Sequence, residues 1–503
     1  MFSHLPSVAA SFTPDILFIM LFGVFGGLLV GAIPGLTSTM AVALLIPVTF
    51  GMTMELSLAL LIAVYIGAIS GGLVAATLIN IPGTPASVAT TFDAYPMAAS
   101  GHAGRALGFG VLASFFGSMI GACILSFAAP ALGRIALTFN SYEYLTLIIF
   151  TLTCILAISG KSLIKGILSA CLGILMSLVG LSGTDNIARF TYGFSDFEAG
   201  LNVMPVLIGM YAVSQILDEI ADIHAPFKVT KATFTVGDFI KVAREASNSV
   251  WNIVRSSLIG VGIGILPGIG PNVAGIMAYS KAKAASDDPE SFGKGNPDGI
   301  IASESSNNAC TGGALVPLLT LGIPGDATTM MLLGAFMIHG VQPGPLLLRD
   351  HPQLFLTVLI AYLISTIFML ILQIFCIRLL IKGLMAPRYV LYPIILAMCV
   401  LGCFALNSNM FDVWVFLAVG ILGHILQRLD FPLLPLILGL ILGQMAESNL
   451  AASWLMSGHS LWGLFDRPVS MGLLAVSALS VFLSLRMRRK QQRNESVLTE
   501  SNP

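Results

Sequence analysis

The stretch AIPGLTSTMAVALLIP, from Ala32 to Pro47, interrupts an apolar segment with a proline, a glycine and a run of hydroxyl side chains. Proline removes a helical hydrogen bond and clashes with the carbonyl one turn back, and glycine loosens the backbone further. In lipid, the freed polar groups are costly unless protein or water satisfies them. The stretch therefore predicts a membrane helix that breaks where it lines a cavity.

The composition indicates a lipid environment for the whole chain. Apolar residues make up 56% of the 503 residues and charged residues only 10%, whereas soluble domains carry roughly 25% charged residues. The predicted fold class is an all-α polytopic membrane protein, because apolar stretches approach or exceed the roughly 20 residues that cross a bilayer. The net charge of −1 indicates no nucleic-acid partner, and the seven cysteines form no CxxC pair or metal site.

Three pairs of similar segments predict an internal repeat. Gly31–Ala41 (GAIPGLTSTMA) aligns with Gly264–Ala274 (GILPGIGPNVA), and Gly71–Gly83 aligns with Gly312–Gly325 if one residue is inserted. Further along, Pro205–Gly209 (PVLIG) corresponds to Pro435–Gly439 (PLILG). We therefore predict two transmembrane repeats, residues 1–220 and 250–450.

Basic residues predict the orientation of these repeats. The linker 221–249 and the tail 486–503 are rich in Lys and Arg, whereas the start of the chain has none. Basic loops stay in the cytoplasm, so each repeat must cross an odd number of times. The repeats are then inverted, an architecture of secondary transporters. Residues 451–485 would form an extracytoplasmic loop and one extra C-terminal helix.

Four Pro-Gly pairs fall at equivalent points of the two repeats: Pro34-Gly35, Pro82-Gly83, Pro267-Gly268 and Pro324-Gly325. A half-helix that begins after such a break directs free N–H groups and a positive dipole end at the cavity, which favours an anion. The alternative is four ordinary kinks whose hydroxyls bond back to their own helix. The predicted substrate contacts are Gly35, Thr37, Ser38, Thr39, Gly83, Thr84, Ser87, Gly268, Asn272, Gly325, Thr328 and Thr329.

A second polar cluster, ASESSNNACTGG from Ala302 to Gly313, precedes the fourth break. A carboxyl at membrane depth is costly and marks a functional site by default. We predict a coupling-ion site at Glu304, Asn307, Asn308 and Asp326, since an acid beside an anion needs a proton or cation. The alternative is that the cluster caps a helix in an aqueous loop.

The residues favour transport over other functions. The sequence has no G-x-S-x-G, H-E-x-x-H or P-loop motif, so it predicts no enzyme, no cofactor and no ATP-driven pump. A passive anion channel, or a carrier for a solute other than a carboxylate, is the alternative function. A channel needs a continuous polar pathway, whereas the polar residues here cluster at related depths in the two repeats.

Long motifs resemble the large membrane subunit of the tripartite tricarboxylate transporters. They include INIPGTPASVATTFDAYPMAASGHAGRALG and FGKGNPDGIIASESSNNACTGGALVPLLTLGIPGDATTMMLLGA, and the resemblance extends to about Gly443. It implies a multi-pass protein of the bacterial inner membrane that imports citrate-like carboxylates with Na⁺ or H⁺. It also implies a small membrane subunit and a periplasmic solute-binding protein as partners, and kinship with elevator-type carriers.

The topology gives the first testable prediction. Reporter domains fused within the linker 221–249 and after Arg486 should both report the cytoplasm, because both segments are basic. A reporter ahead of the first helix should report the opposite side. If the linker and the tail report different sides, the inverted-repeat prediction fails.

Overall fold

The computed structural model describes residues 4–158, 162–183, 185–220, 230, 234–384, 387–460, 462–482 and 486. Most of the linker, including Lys228 and Lys231, and the basic tail after Arg486 lie outside the described residues. Within them the protein is almost entirely helical, with one antiparallel pair of two-residue strands, Gly180–Leu181 and Ala188–Arg189. The all-α prediction is confirmed.

The helices before the linker are α1 Leu5–Ser11, α2 Pro14–Ala32, α3 Ser38–Leu45, α4 Met54–Ile79, α5 Val88–Met97, α6 Ala103–Ala136, α7 Ser141–Ile158, α8 Leu163–Ser177, α9 Val203–Ile208 and α10 Ser214–Glu219. Those that follow are α11 Val236–Ala246, α12 Val250–Ile265, α13 Gly270–Ala284, α14 Pro297–Leu321, α15 Ala327–Ile338, α16 Pro345–Asp350, α17 Pro352–Leu384, α18 Arg388–Asn407, α19 Met410–Arg428, α20 Leu433–Met456 and α21 Pro468–Phe482.

Seven helical segments of the described chain are long and apolar enough to cross a bilayer: Pro14–Ala32, Met54–Ile79, Pro85–Ala136, Pro352–Leu384, Tyr389–Asn407, Met410–Arg428 and Leu433–Met456. Helix α14 is absent from that set although it has 25 residues and is buried from Gly299 to Leu321. It carries the polar cluster of Ala302–Gly313. A buried helix with this many polar residues needs partners for them inside the protein.

The chain packs as two compact units. The first contains Met1–Leu137 and Ile208–Ile421, and the second contains Thr138–Leu207 and Leu422–Pro503. All four Pro-Gly breaks belong to the first unit. The second unit is formed mainly by α7, α8, α20 and α21, with Glu143 of α7 paired to Arg467 and Arg189 paired to Glu447 at 2.7 Å. These units cut across the predicted repeats 1–220 and 250–450, which stay a prediction.

Glycines bring two helix pairs of the first unit into backbone contact. In the α2–α4 pair, Gly27 lies against the carbonyl of Val64 and Gly31 against that of Ala68. In the α12–α14 pair, Gly260 lies against the carbonyl of Ser306 and Gly264 against that of Cys310. The two pairs make the same contacts. One constant difference in residue number relates each α2 residue to its α12 equivalent, and a second constant difference relates each α4 residue to its α14 equivalent. Small residues allow such approach between membrane helices.

The same shifts extend to the breaks. Gly71 and Gly313 lie against the carbonyls of Leu28 and Val261, and Gly83 and Gly325 lie against those of Gly31 and Gly264. Helices α4 and α14 end in left-handed residues, Asn80 (φ 58°) and Gly322 (φ 71°), at equivalent positions. The inserted residue in the sequence alignment is therefore wrong, because the packing matches Gly71 with Gly313 and not with Gly312. The correspondence supports the repeat, whose inverted orientation stays a prediction.

Helix α12 offers a matched test of this packing. Gly264 has no room for a Cβ beside the backbone of α14, whereas Gly262, two residues earlier, faces open space. We expect Gly264→Val to destabilise the protein by about 1–3 kcal/mol or more, the cost of overpacking. Gly262→Val should change the melting temperature in detergent little. Equal melting temperatures for the two variants would contradict the close α12–α14 contact.

Candidate functional site

The first and fourth breaks meet where two half-helices begin. Thr37 is the N-cap of α3, and its hydroxyl accepts a hydrogen bond from the Met40 N–H at 3.1 Å. Ser38 Oγ and Thr39 Oγ1 lie 2.8 Å and 3.3 Å from Thr328 Oγ1 at the start of α15. These are contacts between predicted repeats and not bonds of a hydroxyl to its own helix. The ordinary-kink alternative, in which hydroxyls bond back to their own helix, describes Thr37 but not Ser38, Thr39 and Thr328.

Asp326 is the N-cap of α15, and all its side-chain bonds are made within the protein. Its Oδ1 accepts from the Thr329 N–H at 2.7 Å and from the Thr329 hydroxyl at 2.8 Å. Its Oδ2 accepts from the Tyr65 hydroxyl of α4 at 2.6 Å. The backbone of Gly270, where α13 begins, lies beside the Asp326 side chain. Asp326 thus joins the third and fourth breaks to α4.

The second and third breaks also meet. Helix α13 packs against the turn Pro85–Ser87 and against α5, and Gly275 lies against the carbonyl of Ala86. The side chains of Thr84 and Ser87 lie against Gly72 of α4, and the Ser87 hydroxyl donates to the Thr84 carbonyl at 2.9 Å. The four breaks of the first unit therefore form one continuous cluster.

Three polar side chains of this cluster have no hydrogen-bond partner among the described residues. They are the Thr84 hydroxyl, the Asn272 Oδ1 and both amide atoms of Asn307. Thr84 is 1% exposed and Asn307 is 0% exposed. Thr84 occupies an N-cap position but makes no capping bond. Buried polar atoms are nearly always bonded, so these atoms indicate a place for a ligand.

Glu304 lies in the middle of α14 and is fully buried. Its carboxylate accepts from the hydroxyls of Thr90 at 2.5 Å and Ser114 at 3.0 Å, and from the Asn308 amide at 3.3 Å. No Lys, Arg or His pairs with it within the part of the chain that the structure describes. The interpretation that this cluster caps a helix in an aqueous loop is wrong, because Asn296 caps α14 and Glu304 lies two turns further on.

The hydrogen bonds of Glu304 continue across the first unit. Asn308 Oδ1 accepts from the Ser70 hydroxyl of α4 at 2.5 Å, and the Gln373 amide of α17 donates to the Ser70 carbonyl at 3.0 Å. Helices α4, α5, α6 and α14 thus share one polar network around a single carboxylate. The network contains hydroxyl and amide groups only, apart from Glu304 itself.

The structure divides the predicted site residues into three groups. Thr37, Ser38, Thr39, Asp326, Thr328 and Thr329 surround the start of α3 and α15. Thr84, Ser87, Asn272 and Asn307 surround the second and third breaks, and Glu304 and Asn308 lie in the network beside α5 and α6. The predicted glycines are backbone contacts: Gly35 approaches the Glu219 carboxylate, Gly83 approaches Gly31, and the Gly268 N–H donates to the Gly325 carbonyl at 2.8 Å.

Sequence reasoning missed Tyr65, Ser114 and the role of Asp93. A tyrosine in the middle of a buried 26-residue helix is a usable signal, because its hydroxyl must find a partner there. Asp93 lies in α5 and is fully buried. Its Oδ1 accepts from the N–H groups of Gly293, Gly295 and Asn296 at 2.8 Å each, and the Tyr279 hydroxyl donates to Oδ2 at 2.9 Å.

Comparison with known proteins identifies the family. The model of the Tripartite tricarboxylate transporter TctA family matches residues 17–438. The chain belongs to this family.

Two relatives of this TctA-family chain come from Agrobacterium vitis. One, described as an uncharacterized 52.8 kDa protein in the TAR-I ttuC' 3'region, is 33% identical over 482 residues and 95% of both chains. The other, described as an uncharacterized protein in the TAR-II ttuC' 3'region, is 34% identical over 46% of this chain and 96% of its own length. No solved structure matches the chain. The protein is a multi-pass membrane component of tricarboxylate transport.

Asp93 gives a prediction about the loop between α13 and α14. Asp93→Ala removes the carboxylate that accepts from three N–H groups of this partly buried loop, and a hydrogen bond to a charged group contributes about 1.5–3 kcal/mol. The loop should therefore open more often, and trypsin should cleave at Lys294 about tenfold faster or more. Asp287→Ala, an exposed acid of the same loop, is the control. Equal cleavage rates in the two variants would contradict the prediction that Asp93 stabilises this loop.

Proposed function

We propose that this TctA-family chain is the transmembrane subunit of a binding-protein-dependent secondary transporter in a bacterial inner membrane. It imports citrate-like tricarboxylates or dicarboxylates together with Na⁺ or H⁺. A periplasmic solute-binding protein delivers the substrate, and a small membrane subunit completes the complex. Family membership supports the transport of tricarboxylates. The coupling ion, the range of substrates and the partners are parts of this proposal.

The arrangement of helix ends supports a carboxylate as the substrate. Half-helices of the first unit begin at Ser38, Gly270 and Ala327, directly after or close to a Pro-Gly break. The start of a helix carries a partial positive charge and free N–H groups, which stabilise anions. Thr37 and Asp326 already cap two of these helices, so the uncapped start of α13, in whose first turn Asn272 lies, is the one that favours an anionic substrate.

Glu304 carries the proposal for ion coupling. A buried carboxyl with no cationic partner is stable only if it takes a proton or a cation. Its three donors are neutral and come from α5, α6 and from α14 itself. Glu304 also lies one turn from Asn307, whose amide has no partner. Cation or proton binding at Glu304 is therefore adjacent to the proposed carboxylate site, so that occupation of one affects the other.

The test of coupling is uptake of labelled citrate by membrane vesicles that contain all three components. We expect Glu304→Gln to abolish the stimulation of uptake by the driving ion, imposed as a Na⁺ gradient or a pH gradient in separate experiments. Exchange of internal for external citrate, which needs no net ion movement, should persist. Glu55→Gln, which alters an exposed acid at the start of α4, should keep the full response to the gradient.

Glu304→Gln vesicles that accumulate citrate as the unaltered protein does, with the same response to both gradients, would exclude Glu304 as the coupling site. Uptake that equilibrates without any gradient dependence in the unaltered protein would instead favour the passive anion channel.

Partner dependence is tested separately. Vesicles with this chain and the small membrane subunit should take up citrate only when the binding protein is added, because the binding protein supplies the substrate. The expected rate without it is at least about tenfold lower. Full uptake by this chain alone would contradict the tripartite mechanism while leaving the carboxylate site intact.

A further inference from the structure

The two repeats place different side chains at equivalent positions around their breaks. The shifts in residue number that match α4 with α14 and α2 with α12 also match Tyr65 with Asn307, Asp326 with Thr84, and Thr39 with Asn272. The packing obeys the same equivalence, since α15 lies against α3 and α4 while the turn Pro85–Ser87 and α5 lie against α13 and α14. Two polar clusters of one origin therefore exist in the first unit.

One cluster is closed by its own side chains. We call it the closed cluster, and it consists of Ser38, Thr39, Tyr65, Asp326 and Thr328. Asp326 takes hydrogen bonds from Tyr65 and Thr329, and Thr328 contacts both Ser38 and Thr39. Every side-chain oxygen of Asp326 and Thr328 has a partner at 3.3 Å or less. A ligand would have to break these bonds to bind there.

The other cluster is open. We call it the open cluster, and it consists of Thr84, Asn272 and Asn307. Asn307 and Thr84 occupy the positions equivalent to the hydrogen-bonded pair Tyr65 and Asp326. Yet neither of them bonds to any described residue. Asn307 also lies on the face of α14 between Ser303 and Thr311, one turn from Ser303, which contacts Thr90 of α5.

The chemistry of the open cluster suits one carboxylate group. The Asn307 amide and the Thr84 hydroxyl supply N–H and O–H donors without partners of their own. Asn272 lies in the first turn of α13, whose start at Gly270 has no side-chain cap. The positive start of α13 disfavours a cation near Asn272. The side chains are neutral, so the bound anion adds the only full charge.

We propose that the open cluster binds a carboxylate group of the transported anion, while the closed cluster is a structural contact between repeats. This inference rests on the proposed function and names its binding site. It removes Ser38, Thr39 and Thr328 from the predicted substrate contacts and keeps Thr84, Asn272 and Asn307. Asn307, predicted from the sequence as an ion ligand, becomes a substrate ligand that is adjacent to Glu304.

The test is equilibrium binding of labelled citrate to the purified full chain in lipid nanodiscs, with succinate as a competitor. No ion gradient is present, so the result does not depend on coupling. We expect Thr84→Val to weaken citrate binding about tenfold to a hundredfold, the effect of losing a hydrogen bond to a charged group. Thr84→Ser, which keeps the hydroxyl, should bind within about threefold of the unaltered chain.

Thr328→Val is the matched control in the closed cluster. It also removes a buried hydroxyl beside a break, but it should lower the melting temperature and leave the citrate affinity within about twofold. Melting temperatures of all variants show which of them are folded, and affinity is compared among those. Weakened binding by Thr328→Val with normal binding by Thr84→Val would overturn the assignment and place the substrate in the closed cluster.

Asn307→Asp separates an anion site from a cation site. A second negative charge should weaken citrate binding by more than about tenfold if a carboxylate binds there. If the open cluster holds Na⁺, the same substitution should lower the Na⁺ concentration that supports citrate binding, and the inference is then wrong. Failure of the unaltered chain to bind citrate or succinate overturns the proposed function, a result distinct from binding that is insensitive to Thr84 and Asn307.

Discussion

A backbone that leaves its helix in apolar surroundings must find a partner for every N–H and C=O that it frees. The four Pro-Gly breaks meet this constraint inside the first unit. The Gly268 N–H bonds to the Gly325 carbonyl, and Thr37 and Asp326 cap the half-helices that follow two of the breaks. Helices α4 and α14 have to be buried along their length to enclose these breaks. The glycine contacts with α2 and α12 bring the backbones close enough to do so.

The equivalence of the two repeats explains why polar side chains beside one break can remain without hydrogen-bond partners. Two polar clusters with the same backbone arrangement need not have the same side chains, because each is enclosed by a different set of helices. In the closed cluster a carboxylate, a phenol and three hydroxyls bond to one another. In the open cluster a threonine and two asparagines occupy equivalent or adjacent positions. The Thr84 hydroxyl, Asn272 Oδ1 and both amide atoms of Asn307 have no hydrogen-bond partner among the described residues. Stability thus depends on the first cluster, and ligand binding is left to the second.

The sequence predicted those features that local chemistry determines. Pro-Gly pairs break helices wherever they occur, so the ends of α2, α4, α12 and α14 were predictable, and so was a membrane environment with so few charges. The residue-by-residue alignment of the two repeats was not predictable in this way. A single inserted residue, chosen to align Gly71-Gly72 with Gly312-Gly313, moved every equivalence that precedes it by one position and so separated Tyr65 from Asn307.

The sequence could not predict the contacts between repeats, for a different reason. The meeting of Ser38 with Thr328, and of Thr90 with Glu304, joins residues more than two hundred positions apart. No periodicity in either segment specifies its partner. The same holds for the two compact units, which take helices from both predicted repeats. The sequence located polar residues near breaks, but only packing shows which of them already have partners.

Asp326 and Glu304, two of the buried acids, show how position along a helix determines what a carboxyl can do. Asp326 stands at the start of α15, where the helix dipole and a backbone N–H favour a negative charge. A charge that is satisfied by fixed groups has no need of a mobile ion. Glu304 stands in the middle of α14, where no helix end contributes and two of its donors are hydroxyls. A hydroxyl can turn from donor to acceptor, so these groups serve a protonated carboxyl as well as an ionised one. The difference between the two acids is therefore the helix start beside Asp326, and the neutral surroundings of Glu304 suit the gain and loss of charge that the release of a coupling ion requires.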